Sequence, residues 1–186
     1  MDLLQQLYKI SSKSGMEDQI KSFILENLRD VDLDVKTDDM GNMFITKGIA
    51  ESYPCVAAHL DEIHSPCQRE TLVDGDIIYT VDRLWNRVGC GADDKNGLWI
   101  IINLLQTEPV LKVALFVQEE RDGELAGCRG AGACDLSFFR DVKFVVECDR
   151  KGASDVVCIG KGETYLCDPS FIPGYLLQKY HYEMVC

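Results

Sequence analysis

Three apolar stretches separated by longer segments constrain this chain most: Tyr53 to Asp61, Val110 to Gln118 and Lys143 to Asp149. Near-continuous apolar strands are what a parallel sheet covered on both faces requires. Each stretch stops in acid or histidine, at His59-Leu60-Asp61, Gln118-Glu119-Glu120 and Glu147-Cys148-Asp149, and a fourth acidic segment, Gly91-Ala92-Asp93-Asp94-Lys95, opens a helix. In open α/β sheets the carboxyl ends of the strands gather along one edge, and ligands bind there. Asp61, Asp93, Glu119, Glu120 and Asp149 are therefore expected to meet around the imidazole of His59. Carboxylates packed that closely raise one another's pKa unless a cation intervenes. A divalent metal is the economical explanation.

The rest of the chain fits the same architecture. Leu3 to Ile10 and Met16 to Leu28 carry helical stripes, broken at Ser14-Gly15, and Leu33 to Thr37 with Met43 to Lys47 alternates as a hairpin. Asp76 to Val81 reads as a strand, Asp93 to Gln106 as a strong helix and Gly130 to Phe139 as another helix. Strands are expected at Ser154 to Ile159 and Tyr182 to Val185, with a helix over Asp168 to Tyr180. This order gives an α/β fold with a mixed, mostly parallel sheet flanked by helices. The 186 residues read as a single domain, 1–186.

Composition narrows the function. A net charge of −12 argues against nucleic acid and anionic membranes as partners. No apolar run approaches the ~20 residues of a membrane span, and the first residues carry no basic leader, so neither a span nor a secretory signal is expected. The nine cysteines include Cys55, Cys148 and Cys158 in strand interiors, and no Cys-x-x-Cys pair exists. They read as small hydrophobes in a reducing, cytoplasmic setting. There is no Gly-x-Ser-x-Gly elbow and no phosphate loop.

Zinc takes imidazole nitrogen and carboxylate oxygen, and catalytic sites keep a position open for water. His59 and Asp61 lie two residues apart and so share a strand face. Asp93 follows a glycine-rich loop, and its plain alternative role is a helix N-cap. Adjacent strand residues face opposite ways, so Glu119 and Glu120 are expected to serve different roles. Each motif alone has an ordinary structural explanation; the four in order do not.

That ordered set resembles the co-catalytic zinc exopeptidases, the clan of peptidase T, the glutamyl aminopeptidases and the acylamino-acid deacylases. Ala58-His59-Leu60-Asp61-Glu62-Ile63 is similar to the clan's first ligand motif, and Gly91-Ala92-Asp93-Asp94-Lys95-Asn96-Gly97 to its bridging-aspartate motif. Val117-Gln118-Glu119-Glu120, followed by Gly127-Cys128-Arg129-Gly130-Ala131, is similar to its general-base motif, and Ser12-Lys13-Ser14-Gly15-Met16-Glu17 to its N-terminal pattern. The resemblance covers about residues 3 to 160. It implies a three-layer fold and zinc as cofactor, two ions in the clan, with cobalt or manganese as substitutes. His59 would bind one zinc, Asp93 bridge both, Asp149 complete the first and Glu120 bind the second. Glu119 would be the general base and Asp61 would hold His59. The implied substrate is a short peptide or an N-acyl amino acid.

Two departures shape the expectation. The clan's last zinc-binding histidine lies beyond a further helix and strand, and nothing in the about 37 residues after Asp149 matches it. The remaining histidines are His64, close behind the first motif, and His181, in the strand-like Tyr180-His181-Tyr182-Glu183. The about 30 residues between Asp61 and Asp93 are too few for the lid or dimerisation insert many members carry. The expectation is a C-terminally short, lid-less exopeptidase whose second zinc lacks a ligand unless a partner chain supplies one. A non-catalytic module holding at most one metal is the alternative, and a homo-oligomer formed through the edge at Tyr182 to Val185 is compatible with either.

Overall fold

The apolar runs form the middle of a five-stranded sheet. The computed structural model describes residues 2–121, 123 and 125–149, together with the backbone of short strands at 155–157, 159–160, 164–165 and 183–185. Chain contacts divide it into two compact units, Met1–Asp149 and Arg150–Cys186. The first unit opens with α1 (Leu3–Lys9) and α2 (Asp18–Asn27), followed by β1 (Asp34–Thr37), β2 (Met43–Lys47) and β3 (Tyr53–His59). Then come β4 (Arg69–Asp74), β5 (Ile77–Asp82), β6 (Arg87–Val88), α3 (Ala92–Thr107), β7 (Leu111–Phe116), α4 (Arg129–Ala133) and β8 (Val142–Glu147).

The main sheet runs β1-β2-β7-β3-β8. β3 pairs in parallel with both β7 and β8, while β2 is antiparallel to β1 and β7. Four of the five strands thus point the same way, giving the mixed, mostly parallel sheet expected. On one face Val56, Ala58, Val113 and Leu115 pack against Leu7, Ile20, Ile24, Leu98, Ile101 and Leu105 from α1, α2 and α3. On the other, Phe44, Cys55, Ala57 and Ala114 meet Phe116, Phe138 and Phe139. Two-residue alternation therefore places His59 on the face of Cys55 and Ala57.

The structure departs from sequence expectation in three places. The helix expected over Gly130 to Phe139 breaks at Cys134, where the backbone is extended; a 3-10 turn restarts at Leu136–Phe139 because Asp135 captures the Ser137 N–H through its side chain. The Asp76–Val81 strand is flanked by β4 and β6, forming a separate antiparallel sheet, β4-β5-β6, between the first two acidic motifs. The third apolar run is not buried as expected. β8 is the last strand of its sheet among the described residues, with Val145 50% and Val146 46% exposed.

In the second unit, β9 (Asp155–Val157) pairs in parallel with β12 (Glu183–Val185), and β10 (Ile159–Gly160) antiparallel with β11 (Thr164–Tyr165). β9 and β12 fall within the strands expected there. The helix expected over Asp168 to Tyr180, and with it His181 and Cys158, lies outside the described residues. Among the described residues no helix is long and apolar enough to cross a membrane.

Candidate metal centre

The carboxyl ends of β3, β7 and β8 and the start of α3 converge on the imidazole of His59, which is 2% exposed. His59 Nδ1 lies 3.0 Å from the backbone carbonyl of Asp61 and donates to it. This bond fixes the ring and turns Nε2 outward, to 2.9 Å from Asp93 Oδ1, 3.7 Å from Asp149 Oδ1 and 3.9 Å from Glu119 Oε2. Two donor sets have ligand atoms all within 4.8 Å of one another: His59, Asp93 and Asp149, and His59, Glu119 and Glu120. A tetrahedral ion with ligands at ~2.0–2.1 Å separates them by about 3.3 Å along each edge. The 2.9 and 3.7 Å separations of Asp93 and Asp149 from Nε2 bracket that spacing.

Asp93 is free to face His59 because its neighbour does the capping. Asp93 and Asp94 both have non-helical backbone angles, and Asp94 Oδ1 accepts from Gly97 N at 3.0 Å, closing the first turn of α3. Capping and facing the imidazole are thus split between adjacent aspartates. A Cβ at Gly91, in the left-handed region at φ 64°, would overlap Glu62, so glycine is required where the loop enters the helix.

Glu119 and Glu120 are not on opposite sides, as strand alternation alone predicts. β7 stops at Phe116, and Gln118 adopts a left-handed φ of 52°, turning the chain so that both carboxylates reach the imidazole. That conformation costs a residue with a side chain roughly 1–3 kcal/mol. Asp61 offsets part of it: Oδ1 accepts from Glu119 N at 2.9 Å and Oδ2 from Glu120 N at 3.0 Å, while Ser14 Oγ also donates to Oδ2. Its carboxylate lies 3.5 Å from His59 Nδ1, so it touches the ring less closely than its own carbonyl does.

Electrostatics follow the geometry. Burial opposes protonation of His59, but the carboxylates of Asp149, Asp61 and Asp93 outweigh it and push its pKa up to about 12. Burial pushes Asp94 up to about 8, with Asp149 adding to it and His59 opposing. Glu120 is raised by burial and by Asp93, Glu119 and Asp61, and Asp93 by burial and by Asp149 beside it. Asp149 is lowered, chiefly by the imidazole of His59 beside it. Burial alone would raise Asp61, but His59, Ser14 and the two N–H groups hold it below the ordinary range. The imidazole proton is compensating an anionic cluster that a divalent cation would compensate more fully.

Behind this cluster lies a buried ionic network that sequence reasoning did not single out. Glu62, next to Asp61, accepts from Arg69 Nη1 at 3.0 Å and Nη2 at 2.9 Å and from Lys95 Nζ at 2.5 Å. Arg69 also donates to the carbonyls of Tyr8, Ile10 and Gly89, and Lys95 to those of Ile10 and Cys90. α1, β3, β4 and α3 are thereby tied at the level of the metal cluster. Glu62 and Lys95 sit inside the quoted motifs; Arg69 has no periodic signal in the sequence. His64 is not a member of either donor set: its ring packs on Gly89, where a Cβ would overlap it.

No protein-family model matches the sequence, and no curated protein matches it either. Solved structures do match in three dimensions. The aminopeptidase PepT from Bacillus cereus superposes with a TM-score of 0.69 at 20% identity, over 83% of this chain and 44% of that one. A tripeptidase from Staphylococcus aureus gives 0.67 at 23% identity, over 83% and 44%. The aminoacylhistidine dipeptidase from Vibrio alginolyticus gives 0.64 at 19%, over 83% and 33%. The likeness establishes a shared fold, the exopeptidase fold that the four motifs anticipate. The chain spans less than half the length of each of these three proteins.

Proposed function

We propose that this chain is a metal-dependent exopeptidase domain acting on short peptides, with zinc held by His59, Asp93 and Asp149. One observation carries the reading: an imidazole nitrogen and two carboxylate oxygens, delivered by three separate elements, lie within 4.8 Å of one another. The donor chemistry fits zinc, and three protein donors leave a tetrahedral ion one position for a further ligand. When bound, such an ion lowers the pKa of a coordinated water towards ~7 and polarises a carbonyl.

The chain's own residues supply the rest. His59 is locked through Nδ1, so Nε2 stays aimed at the cluster. Glu120, in the second donor set with His59 and Glu119, would hold a second ion, and Asp93 is the residue that would serve both. Glu119 stands beside the cluster with Oε2 3.9 Å from His59 Nε2, placed to accept a proton from water and return it to a leaving amine, while Oε1 accepts from Cys128 Sγ at 3.2 Å. General acid–base catalysis contributes ~10²–10⁴-fold. Glu119→Gln should therefore retain metal and lose at least about 10²-fold in release of free amino acids from di- and tripeptides. Equal turnover in that variant, or no metal in the wild-type chain, would remove the proposal. The PepT, tripeptidase and dipeptidase relatives in fold support a peptide substrate over an N-acyl amino acid.

A second reading rests on a specific observation. The two donor sets share His59, and the second contributes no imidazole of its own. On that reading the chain holds at most one ion and binds peptides without turning them over. Metal stoichiometry combined with peptide affinity separates the two.

A further inference from the structure

The segment that presents Glu119 and Glu120 is held on both of its backbone edges. Four consecutive N–H groups donate to side chains from distant parts of the chain: Val117 to Asn42 Oδ1 at 3.0 Å, Gln118 to Glu17 Oε1 at 3.2 Å, and Glu119 and Glu120 to Asp61. On the opposite edge, the carbonyls of Val117, Gln118 and Glu119 accept from Gly130, Arg129 and Cys128. Ordinary strand ends are held by a neighbouring strand. Here the neighbour is replaced by an amide and two carboxylates, because a left-handed residue in the middle takes the segment out of the sheet ladder.

Glu17 and Asn42 are placed for this and for nothing in the metal cluster. Asn42 is fully buried, and its Nδ2 also donates to Gly130 O at 2.9 Å, so one amide clasps both strands of the loop. Glu17 is 4% exposed, and its Oε1 also accepts from Gly15 N at 2.8 Å, which joins the Ser12–Glu17 motif to the base-bearing loop. A Cβ at Gly130 would overlap Val117 O and Asn42 Oδ1, so the clasp has no slack.

We propose that Glu17 and Asn42 are positioning residues that set the aim of Glu119 and Glu120 by capturing the N–H groups of Gln118 and Val117. Without them Gln118 relaxes from its left-handed conformation toward the strand, and alternation returns Glu119 and Glu120 to opposite sides. The effect is directional rather than global. It acts on how two carboxylates face His59, with no contact between either positioning side chain and the cluster.

The test compares full-length wild type, Glu17→Ala, Glu17→Gln and Asn42→Ala by residue-resolved amide hydrogen exchange in EDTA and by zinc affinity against a competing chelator. Glu17→Ala should speed exchange at Gln118, Glu119 and Glu120 while Ala57 and Ala58 in β3 keep their protection. Affinity for the second zinc, the one Glu120 would hold, should fall by about 10–100-fold, the usual effect of removing a residue that orients metal ligands. Glu17→Gln keeps the acceptor oxygen and should restore both. Asn42→Ala should release Val117 in the same pattern. Should Glu17→Ala not fold, Glu17→Asp, one methylene short of Gln118, carries the same comparison. Unchanged exchange at 118–120 overturns the proposal, as does acceleration of β3 along with it, or a released loop with the second zinc's affinity intact. The zinc arm depends on the proposed metal centre and the exchange arm does not. If wild type binds no zinc, the exchange pattern alone decides, and the metal reading fails separately.

Discussion

Replacing Glu62 by glutamine tests whether the ionic network behind the cluster holds the site's scaffold together. Glu62, Arg69 and Lys95 have side chains 1%, 0% and 2% exposed, so one anion compensates two cations out of contact with water. Removing one partner of a buried pair costs about 3–5 kcal/mol, because a charge is left buried and uncompensated. Here the carbonyls around Arg69 and Lys95 continue to accept their hydrogen bonds, which places the loss near the lower end, at about 3 kcal/mol. With a urea m-value of about 1–3 kcal/mol/M, that is a midpoint shift of about 1.5 M for m near 2. Burial, with Arg69 adding to it against the pull of Glu62, already lowers Lys95 to about 8. Loss of Glu62 lowers it further, so Lys95 releases its proton in the folded state while the unfolded chain keeps it. The unfolded state then binds more protons at this site, so the stability of Glu62→Gln relative to wild type rises as pH goes from 7 towards 8. Adding Lys95→Met, which removes the stranded cation, should recover part of the loss. Urea unfolding followed by circular dichroism in EDTA measures all three. A midpoint shift under about 0.3 M, or a double variant no more stable than the single, would refute the reasoning.

Three further outcomes follow from the same geometry. Metal-free protein should lose stability as pH rises from 6.5 to 8: folded His59 and Asp94, at about 12 and about 8, keep protons that the unfolded chain releases at about 6.5 and 3.8. Each retained proton contributes up to about 1.4 kcal/mol per pH unit, and saturating zinc, which displaces the His59 proton, should flatten or reverse the slope in urea melts. Gly130→Ala should cost about 1–3 kcal/mol by the same assay, since its Cβ overlaps Val117 O and Asn42 Oδ1. Glu119→Gln should retain zinc and lose peptide hydrolysis, measured as metal per chain and free amino acid released.

Much of the architecture was legible because burial on both faces writes itself into sequence. The runs ending at His59 and Gln118 needed no alternation to be read as central strands, and the chemistry at their ends followed from parallel topology. β8 misled for the same reason: Val145 and Val146 are apolar in a strand that is half exposed and is the last of its sheet among the described residues. β4 escaped because Arg69 to Asp74 mixes charge and hydrophobe without a clean period, although Arg69 is one of the most buried side chains present. The convergence of Glu119 and Glu120 was illegible in principle from alternation, since it depends on a positive φ at Gln118 that no glycine announces. The division of labour between Asp93 and Asp94 was likewise hidden. Either aspartate is a good cap, and only three-dimensional placement decides which one faces His59.

Zinc retention by wild type against His59→Ala tests the central claim most directly. After dialysis against micromolar zinc and then metal-free buffer, elemental analysis should find about one zinc or more per wild-type chain and a small fraction of that in His59→Ala, with both chains folded by circular dichroism. A folded wild type that retains none, or a His59→Ala variant that retains as much as wild type, would contradict the account.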